Sequence, residues 1–308
     1  VAQLDPRARR ALGRTLSRLA RASVAESLDE VQAGAPTPAA PTCRIGFTGA
    51  PGAGKSTLIS RLARQRISSS GGAASIAVLS IDPSSPISGG AILGDRIRMD
   101  NIANEPELFI RSISSRSSSD GLADNLPDLI AATEGYGFGE ILIETVGVGQ
   151  AEQAVRQLVD TLVMVVQPQA GDAIQAMKAG ILELADLYVV NKADLAGASK
   201  TAAELRGVLA LRRHAESGWA APVIEVSSAG AQGLAELDAG LRQHQDWLRT
   251  HRDPEAVRAQ RRRYHVQSLL IRRVGELLDD DPALLGADAL RTRYRAIIDA
   301  LGEDAGRS

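Results

Sequence analysis

The sequence predicts an α/β fold with a mostly parallel central sheet, and three observations predict it. Apolar runs of strand length alternate with longer helical segments. The runs are apolar almost throughout, as strands covered on both faces of a sheet must be. The first run also ends at Thr48 in a glycine-rich turn, Gly49-Ala50-Pro51-Gly52-Ala53-Gly54, that leads straight into a helical pattern. With 308 residues, 44% of them apolar, the chain can bury a full core. It could form one large α/β domain with helical additions, or two small domains.

The elements follow in order. Leu12, Leu16 and Leu19 share one face, so residues 5–33 are expected to form an amphipathic helix or helix pair. The first 25 residues are Arg-rich and acid-poor, as in a transit peptide, but the leucine face and the following Asp29 and Glu30 favour the helix. Because the chain begins at Val1 and not Met, residues ahead of it are expected. Ala35-Pro36-Thr37-Pro38-Ala39-Ala40-Pro41 reads as a linker stiffened by prolines. Strands are expected at 44–48, 75–81, 108–113, 141–145, 161–166, 187–190 and 223–226. Helices are expected at 56–66, 122–134, 173–184, 200–215 and 234–248. The serine-rich stretches 68–72 and 112–119 read as loops. After Asp253-Pro254 strand signals cease. Val266, Leu270, Val274 and Leu277 form a helical stripe, and a second helix fits 288–301. This tail either packs on the domain or pairs with another subunit. The expected division is an N-terminal helical extension and linker (1–41), an α/β domain (42–252) and a C-terminal helical arm (253–308).

Composition excludes several classes. A net charge of −2 lacks the basic excess of a nucleic-acid binder. The basic run Arg258 to Arg263 reads as a solvated helix face or subunit contact. No run of 18 apolar residues is present, so no membrane-spanning helix is expected. The single cysteine, Cys43, rules out an internal disulfide framework and fits a reducing compartment.

The chemistry lies at the ends of the strands. Gly49 to Ser56 fits G-x-x-x-x-G-K-[ST], a phosphate-binding loop. Its glycines let consecutive N–H groups point at phosphate oxygens, and the following helix adds its positive end. Lys55 can reach the β- and γ-phosphates, and the Ser56 hydroxyl can ligate magnesium. Glu140 to Gly147 is an apolar strand ending in the acid Glu144, with Gly147 three residues on. That is where a P-loop enzyme carries a magnesium-linked carboxylate and a glycine that senses the γ-phosphate. Asn191-Lys192-Ala193-Asp194 is the guanine-reading pattern N-K-x-D at a strand end. A buried aspartate there can accept from the guanine N1–H and exocyclic amine, a donor pair that adenine lacks. Ser227-Ser228-Ala229 fits the loop that supports the base. Asp82 and Asp95 remain open: either could ligate a metal, while Asp82 also suits a turn and Asp95 a helix N-cap.

These motifs resemble the MeaB/ArgK/MMAA GTPases of the signal-recognition-particle-like (SIMIBI) branch of P-loop proteins. The matching segments are Gly49–Thr57, Asp82-Pro83-Ser84-Ser85, Ser88 to Asp95, Glu144 to Gln150, Gly171-Asp172 with Gln175 to Gly180, and Asn191 to Asp194. The resemblance implies a GTP-hydrolysing chaperone for an adenosylcobalamin-dependent acyl-CoA mutase. It would gate cofactor loading and reactivation, with cobalamin involved only through the mutase. By the same resemblance, Gly49 to Thr57 bind phosphate, with Ser56, Asp82, Asp95 and Glu144 around magnesium. Asn191, Lys192 and Asp194 read guanine, with Ser227 to Ala229 behind the base. Asp172, Gln175 and Lys178 lie in a third switch, although from sequence alone Lys178 reads as an exposed helix lysine. The helical ends fit the family's dimerising arms, so a homodimer is expected. A bacterial-type cytoplasmic location is favoured over the mitochondrial matrix. One departure concerns the family's double glycine after the third strand, which is Ala123-Asp124 here; it leaves the particular mutase open. A metal-insertion GTPase would need clustered His or Cys, whereas this chain has one Cys and His214, His244, His251 and His265 scattered. A kinase linked to amino-acid transport is the other alternative.

Overall fold

The computed structural model describes residues 5–32, 42–71, 73–83, 105–115, 125–145, 151–168, 184–211, 218–230, 232–286 and 289–305. Seven strands form one sheet: β1 (Cys43–Thr48), β2 (Ile76–Pro83), β3 (Leu108–Ser115), β4 (Glu140–Glu144), β5 (Thr161–Val166), β6 (Leu187–Asn191) and β7 (Val223–Val226). Their spatial order is β3-β2-β4-β1-β5-β6-β7, and every strand pairing is parallel. The expected "mostly parallel" sheet is therefore parallel throughout its described strands. The order reverses around β1, so the loop after that strand opens at a topological switch point, where α/β sheets bind ligands.

The strands are apolar because both faces are covered. Helices α3 (Lys55–Ser69) and α7 (Leu234–His251) cover one face, packing Leu58, Leu62 and Leu237 against Ile45, Phe47 and Val163. Helices α1 (Pro6–Leu19), α4 (Leu126–Glu134) and α5 (Ala151–Leu158) cover the other, with Leu16, Leu129 and Val155 against Leu79, Ile141 and Leu162. Helix α6 (Ala198–Leu211) extends that layer over Met164 and Tyr188. The N-terminal helix starts cleanly because the Asp5 carboxylate accepts from the N–H groups of Arg7 and Ala8, both at 2.7 Å, ahead of Pro6. Its predicted leucine face, Leu12, Leu16 and Leu19, is completely buried in the main core. The predicted helix pair is α1 followed by α2 (Val24–Gln32).

Two residues, Arg252 and Asp253, join α7 to α8 (Pro254–Asp280). Asp253 caps α8, accepting from Glu255 N–H at 2.9 Å, and Pro254 supplies a first turn that needs no donor. A short 3₁₀ turn (Pro282–Leu285) then leads to α9 (Leu290–Ala305). Polar contacts attach α8 to the body. Arg261 reaches Asp160 at 2.6 Å, Arg272 reaches Asp128 at 2.6 Å and Ser27 at 3.0 Å, and Glu276 accepts from Val24 N–H at 2.8 Å. Positions 261, 265, 272 and 276 form the inner face of the helix. The predicted apolar stripe lies to one side of it and is not buried: Val266 is 55% and Leu270 53% exposed, with Ile271 beside them at 73%.

Some expectations shift. Ser68 and Ser69 belong to the last turn of α3 and not to a loop, because Ser69 and Ser70 hydroxyls donate back to the carbonyls of Gln65 and Ile67. Ser112 to Ser115 continue β3 because they pair in register with Ser80 to Pro83 of β2. Helix α5 was not anticipated. The linker, the stretch containing Ala123-Asp124 and almost all of the expected helix 173–184 lie outside the described residues.

Candidate functional site

The site is built at the C-terminal ends of β1, β4 and β6. After Thr48 the chain turns through Gly49, Gly52 and Gly54, with φ of 143°, 79° and 86°. These left-handed conformations strain any other residue. Two of the positions are also crowded: a side chain at Gly49 would meet the Val165 carbonyl, and one at Gly54 would meet the Asn191 amide. Lys55 is buried at the start of α3, and its Nζ donates to the carbonyls of Gly49 at 2.7 Å and Ala50 at 3.1 Å. The ammonium charge is thus held against the loop that the glycines shape. Ala53 and Ser56 are buried with it, while Pro51, Gly52 and Thr57 face outward.

Sheet register brings the predicted carboxylate to this loop. Glu144, at the end of β4, pairs with Phe47 of β1 on one side and with Ser80 of β2 on the other. Its carboxylate is buried and accepts from the Ser56 hydroxyl at 2.6 Å and from the Ser80 hydroxyl at 2.9 Å. Ser80 escaped the sequence reading, although a lone hydroxyl inside the apolar run 76–81 was a signal for it. The donor set of hydroxyl and carboxylate oxygens suits a hard, oxygen-seeking cation such as magnesium.

A second cluster surrounds the end of β6. The Asn191 side chain is fully buried. Its amide donates to the Ala53 carbonyl in the glycine loop at 2.7 Å, and its oxygen accepts from the Ser228 N–H at 3.2 Å. Lys192 follows at φ 58°, the one left-handed non-glycine among the described residues. Such a conformation costs about 1 kcal/mol and persists where the surroundings impose it. The Lys192 amine donates to Gln167, the first residue of the segment that resembles a third switch, and Ala193 N–H donates to the Val226 carbonyl at 3.0 Å. The Ser227 hydroxyl donates to the Asp194 carboxylate, which is exposed and not buried as expected, because it lies in the turn beyond the end of β6. That bond, the backbone N–H of Asp194 and the nearby Lys192 charge hold the carboxyl below the ordinary aspartate range. Asp194 therefore presents a charged acceptor at neutral pH. Arg61, on α3, donates to the Ala229 carbonyl at 2.8 Å, so the helix behind the glycine loop also fixes the 227–229 loop.

The structure thus brings together Gly49 to Thr57, Glu144, Asn191, Lys192, Asp194 and Ser227 to Ala229. Asp82 stands at the end of β2, next to Ser114 of β3 in register. Asp95, Gly147, Asp172, Gln175 and Lys178 lie outside the described residues.

The family described as "Methylmalonyl Co-A mutase-associated GTPase MeaB" matches residues 15–282. The chain belongs to this family. Relatives agree. The "Probable GTPase" of Mycobacterium tuberculosis is 41% identical over 208 residues, 67% of this chain and 61% of that one. The mouse "Methylmalonic aciduria type A homolog, mitochondrial" is 35% identical over 246 residues, 79% of this chain and 59% of that one. The chain spans about three fifths of the length of the curated relatives it matches. Among solved structures, the LAO/AO transport system kinase aligns with a TM-score of 0.62 at 22% identity, over 95% of this chain and 98% of that one. This likeness speaks for the fold alone. The α/β P-loop fold expected from the sequence is the one observed.

The crowding at Gly54 makes a prediction. Gly54→Ala would force a methyl group against the Asn191 amide in a left-handed backbone. It should cost more than about 1 kcal/mol of stability in urea unfolding. Ala at Gly207, an open helical position, should cost nothing.

Proposed function

We propose that this chain is a magnesium-dependent GTPase that acts as a chaperone to an adenosylcobalamin-dependent acyl-CoA mutase, gating cofactor loading and reactivation. The observation that carries the nucleotide half is the Asn191 bridge. One buried side chain ties the carbonyl of the glycine loop to the N–H of the 227–229 loop. A phosphate chain on the first loop and a base against the second would then belong to one ligand.

Each residue has a task in that reading. Backbone N–H groups of Gly49 to Thr57 cradle the phosphates, and Lys55 swings from its two carbonyls to compensate charge on the transferring phosphoryl group. Ser56 and Glu144 would hold magnesium, directly or through water, with Asp82 and Asp95 nearby in the family pattern. When bound, that ion supplies charge neutralisation on the phosphate oxygens. Asp194 accepts from the guanine N1–H and amine, and Ser227 keeps it charged and aimed. Gly147 senses the γ-phosphate. The mutase partner is supported by the family's name and by the mouse relative's. Cobalamin enters only through that partner. A cytoplasmic location fits a chain in which no described helix is long and apolar enough to cross a membrane, although the mouse relative is mitochondrial. Three histidines have local contacts that weaken a metal-insertion reading: His244 and His251 stack on Trp247, and His265 bonds Asp128.

The chain is further proposed to form a homodimer through residues 253–308. Val266, Leu270 and Ile271 on α8 and Tyr294 and Ile298 on α9 are all exposed, more apolar surface than a solitary arm retains. A second copy would cover them. The pair Leu270→Glu and Ile271→Glu, both surface changes, should convert a dimer into a monomer in light scattering. A wild-type monomer at micromolar concentration would show that the arm has no such role.

Base reading is tested through Asp194. Asp194→Asn replaces an acceptor by a donor facing the guanine N1–H. It should weaken GTP binding on the order of 100-fold, as for a lost charged hydrogen bond, and favour xanthosine triphosphate. Calorimetry that finds GTP affinity unchanged would remove Asp194 from the site.

Intrinsic hydrolysis is expected to be slow and accelerated by the mutase. The residue after Gly147 is Val148, where small GTPases carry a water-positioning glutamine. Lys178, flanked by Asp172 and Gln175, is proposed to deliver a positive charge to the γ-phosphate once the mutase reorders that segment. Such a charge is worth about 10³-fold or more. Single-turnover hydrolysis with the cognate mutase should show stimulation in wild type and its loss in Lys178→Ala. Equal stimulation in both would clear Lys178, and none with any cobalamin-dependent mutase would count against the chaperone reading.

A further inference from the structure

A cavity of about 610 Å³ opens at the other end of the sheet, between α4, α7 and α8. Its wall includes Cys43 and Arg44 at the start of β1 and Asp160 just ahead of β5. Four residues of β1, Ile45 to Thr48, separate it from the glycine loop, roughly 13 Å of extended chain. The nucleotide site and this cavity therefore share no residue. The volume is in the range of sites that enclose small organic ligands.

Its lining has two characters. Ala131, Leu158, Leu248 and Val257 supply apolar walls. Around them stand six arginines, at 44, 249, 252, 258, 261 and 262, against two carboxylates among the described lining residues, Glu134 and Asp160; Arg249 pairs with Asp246 outside the wall at 2.6 Å. Glu134 is committed to Arg44 through two bonds of 2.6 and 2.8 Å. Asp160 accepts from the Arg44 backbone N–H at 2.9 Å and from Arg261 at 2.6 Å. Arg252 comes no closer to it than 3.8 Å, too far for a hydrogen bond. Two buried guanidinium nitrogens here, Arg252 Nη1 and Arg261 Nε, have no acceptor among the described residues. Burial also depresses the pKa of both groups, with Arg156 adding to the effect at Arg252 and Arg44 at Arg261. Positive charge is thus under-compensated beside an apolar space.

We propose that this cavity binds an amphiphilic organic anion, its apolar body between α4, α7 and α8 and its carboxylate or phosphate head among the arginines. The cavity charge favours an anion over a neutral molecule of the same shape, and the apolar walls favour it over a free inorganic anion. Arg258 and Arg262, which are exposed and among the described residues pair with Glu255 alone, form the entry side of the cluster.

The test is calorimetric titration of the full chain, saturated with GDP so that the nucleotide site is filled. The probes are octanoate, octyl phosphate, octanol and inorganic phosphate. Octanoate or octyl phosphate should bind saturably at one site, with octanol and inorganic phosphate at least about tenfold weaker. Val257→Trp should fill the cavity and abolish binding while leaving GTP hydrolysis unchanged. The exposed pair Arg258→Glu and Arg262→Glu should weaken the anions and not octanol. A preference for octanoate over octyl phosphate, or the reverse, identifies the head group and supports the site either way. Octanol binding as tightly as the anions, inorganic phosphate binding as tightly as octyl phosphate, unchanged affinity in Val257→Trp, or no saturable binding at millimolar probe would each overturn the proposal.

Discussion

The candidate site depends on one buried amide. Asn191 joins the glycine loop after β1 to the loop after β7 by donating to Ala53 and accepting from Ser228. Neither loop is fixed by its own sequence, since both are rich in glycine or serine. Without the bridge, the Ala53 carbonyl and the Ser228 N–H would be buried polar groups short of a partner, at roughly 1–3 kcal/mol each. The constraint also explains Gly54, because the Asn191 amide occupies the space a side chain would need. The left-handed turn at Lys192, directly after Asn191, sends the chain on to Asp194.

The parallel sheet makes this arrangement possible. All strands point the same way, so the loops after β1, β4, β6 and β7 share one end of the molecule. Register then fixes the neighbours: Glu144 lies level with Ser80, which lets one carboxylate accept from both Ser80 and Ser56. Buried away from water, that carboxyl group is satisfied by two hydroxyls. The opposite end carries a different chemistry. There Arg44 and Arg261, held by Glu134 and Asp160, stand with further arginines of α7 and α8 around an apolar space.

Much of this was legible in the sequence, for identifiable reasons. Strands such as 161–166 and 187–190 were marked by runs apolar almost throughout, between turn residues. The loop residues Gly49 to Ser56, the strand-end Glu144 and Asn191 to Asp194 were marked by spacing that chemistry demands. Other features were not legible. Helix α5 reads Ala-Glu-Gln-Ala-Val-Arg-Gln-Leu, too short and too polar to stand out. Ser80 became visible as a partner only through strand register. The stripe on α8 was read correctly as apolar, but sequence could not show that the charged face beside it, with Arg261, His265 and Arg272, is the one facing the body. Long-range ion pairs such as Arg44–Glu134 leave no periodic trace.

The central claim is that the glycine loop and the Asn191–Asp194 corner form one guanine-nucleotide site. The most direct measurement is calorimetric affinity of the intact chain for GDP and for ADP, each with magnesium. The account predicts GDP binding at least about 100-fold tighter, because adenine offers Asp194 no matching donors. Equal affinity for the two would contradict it.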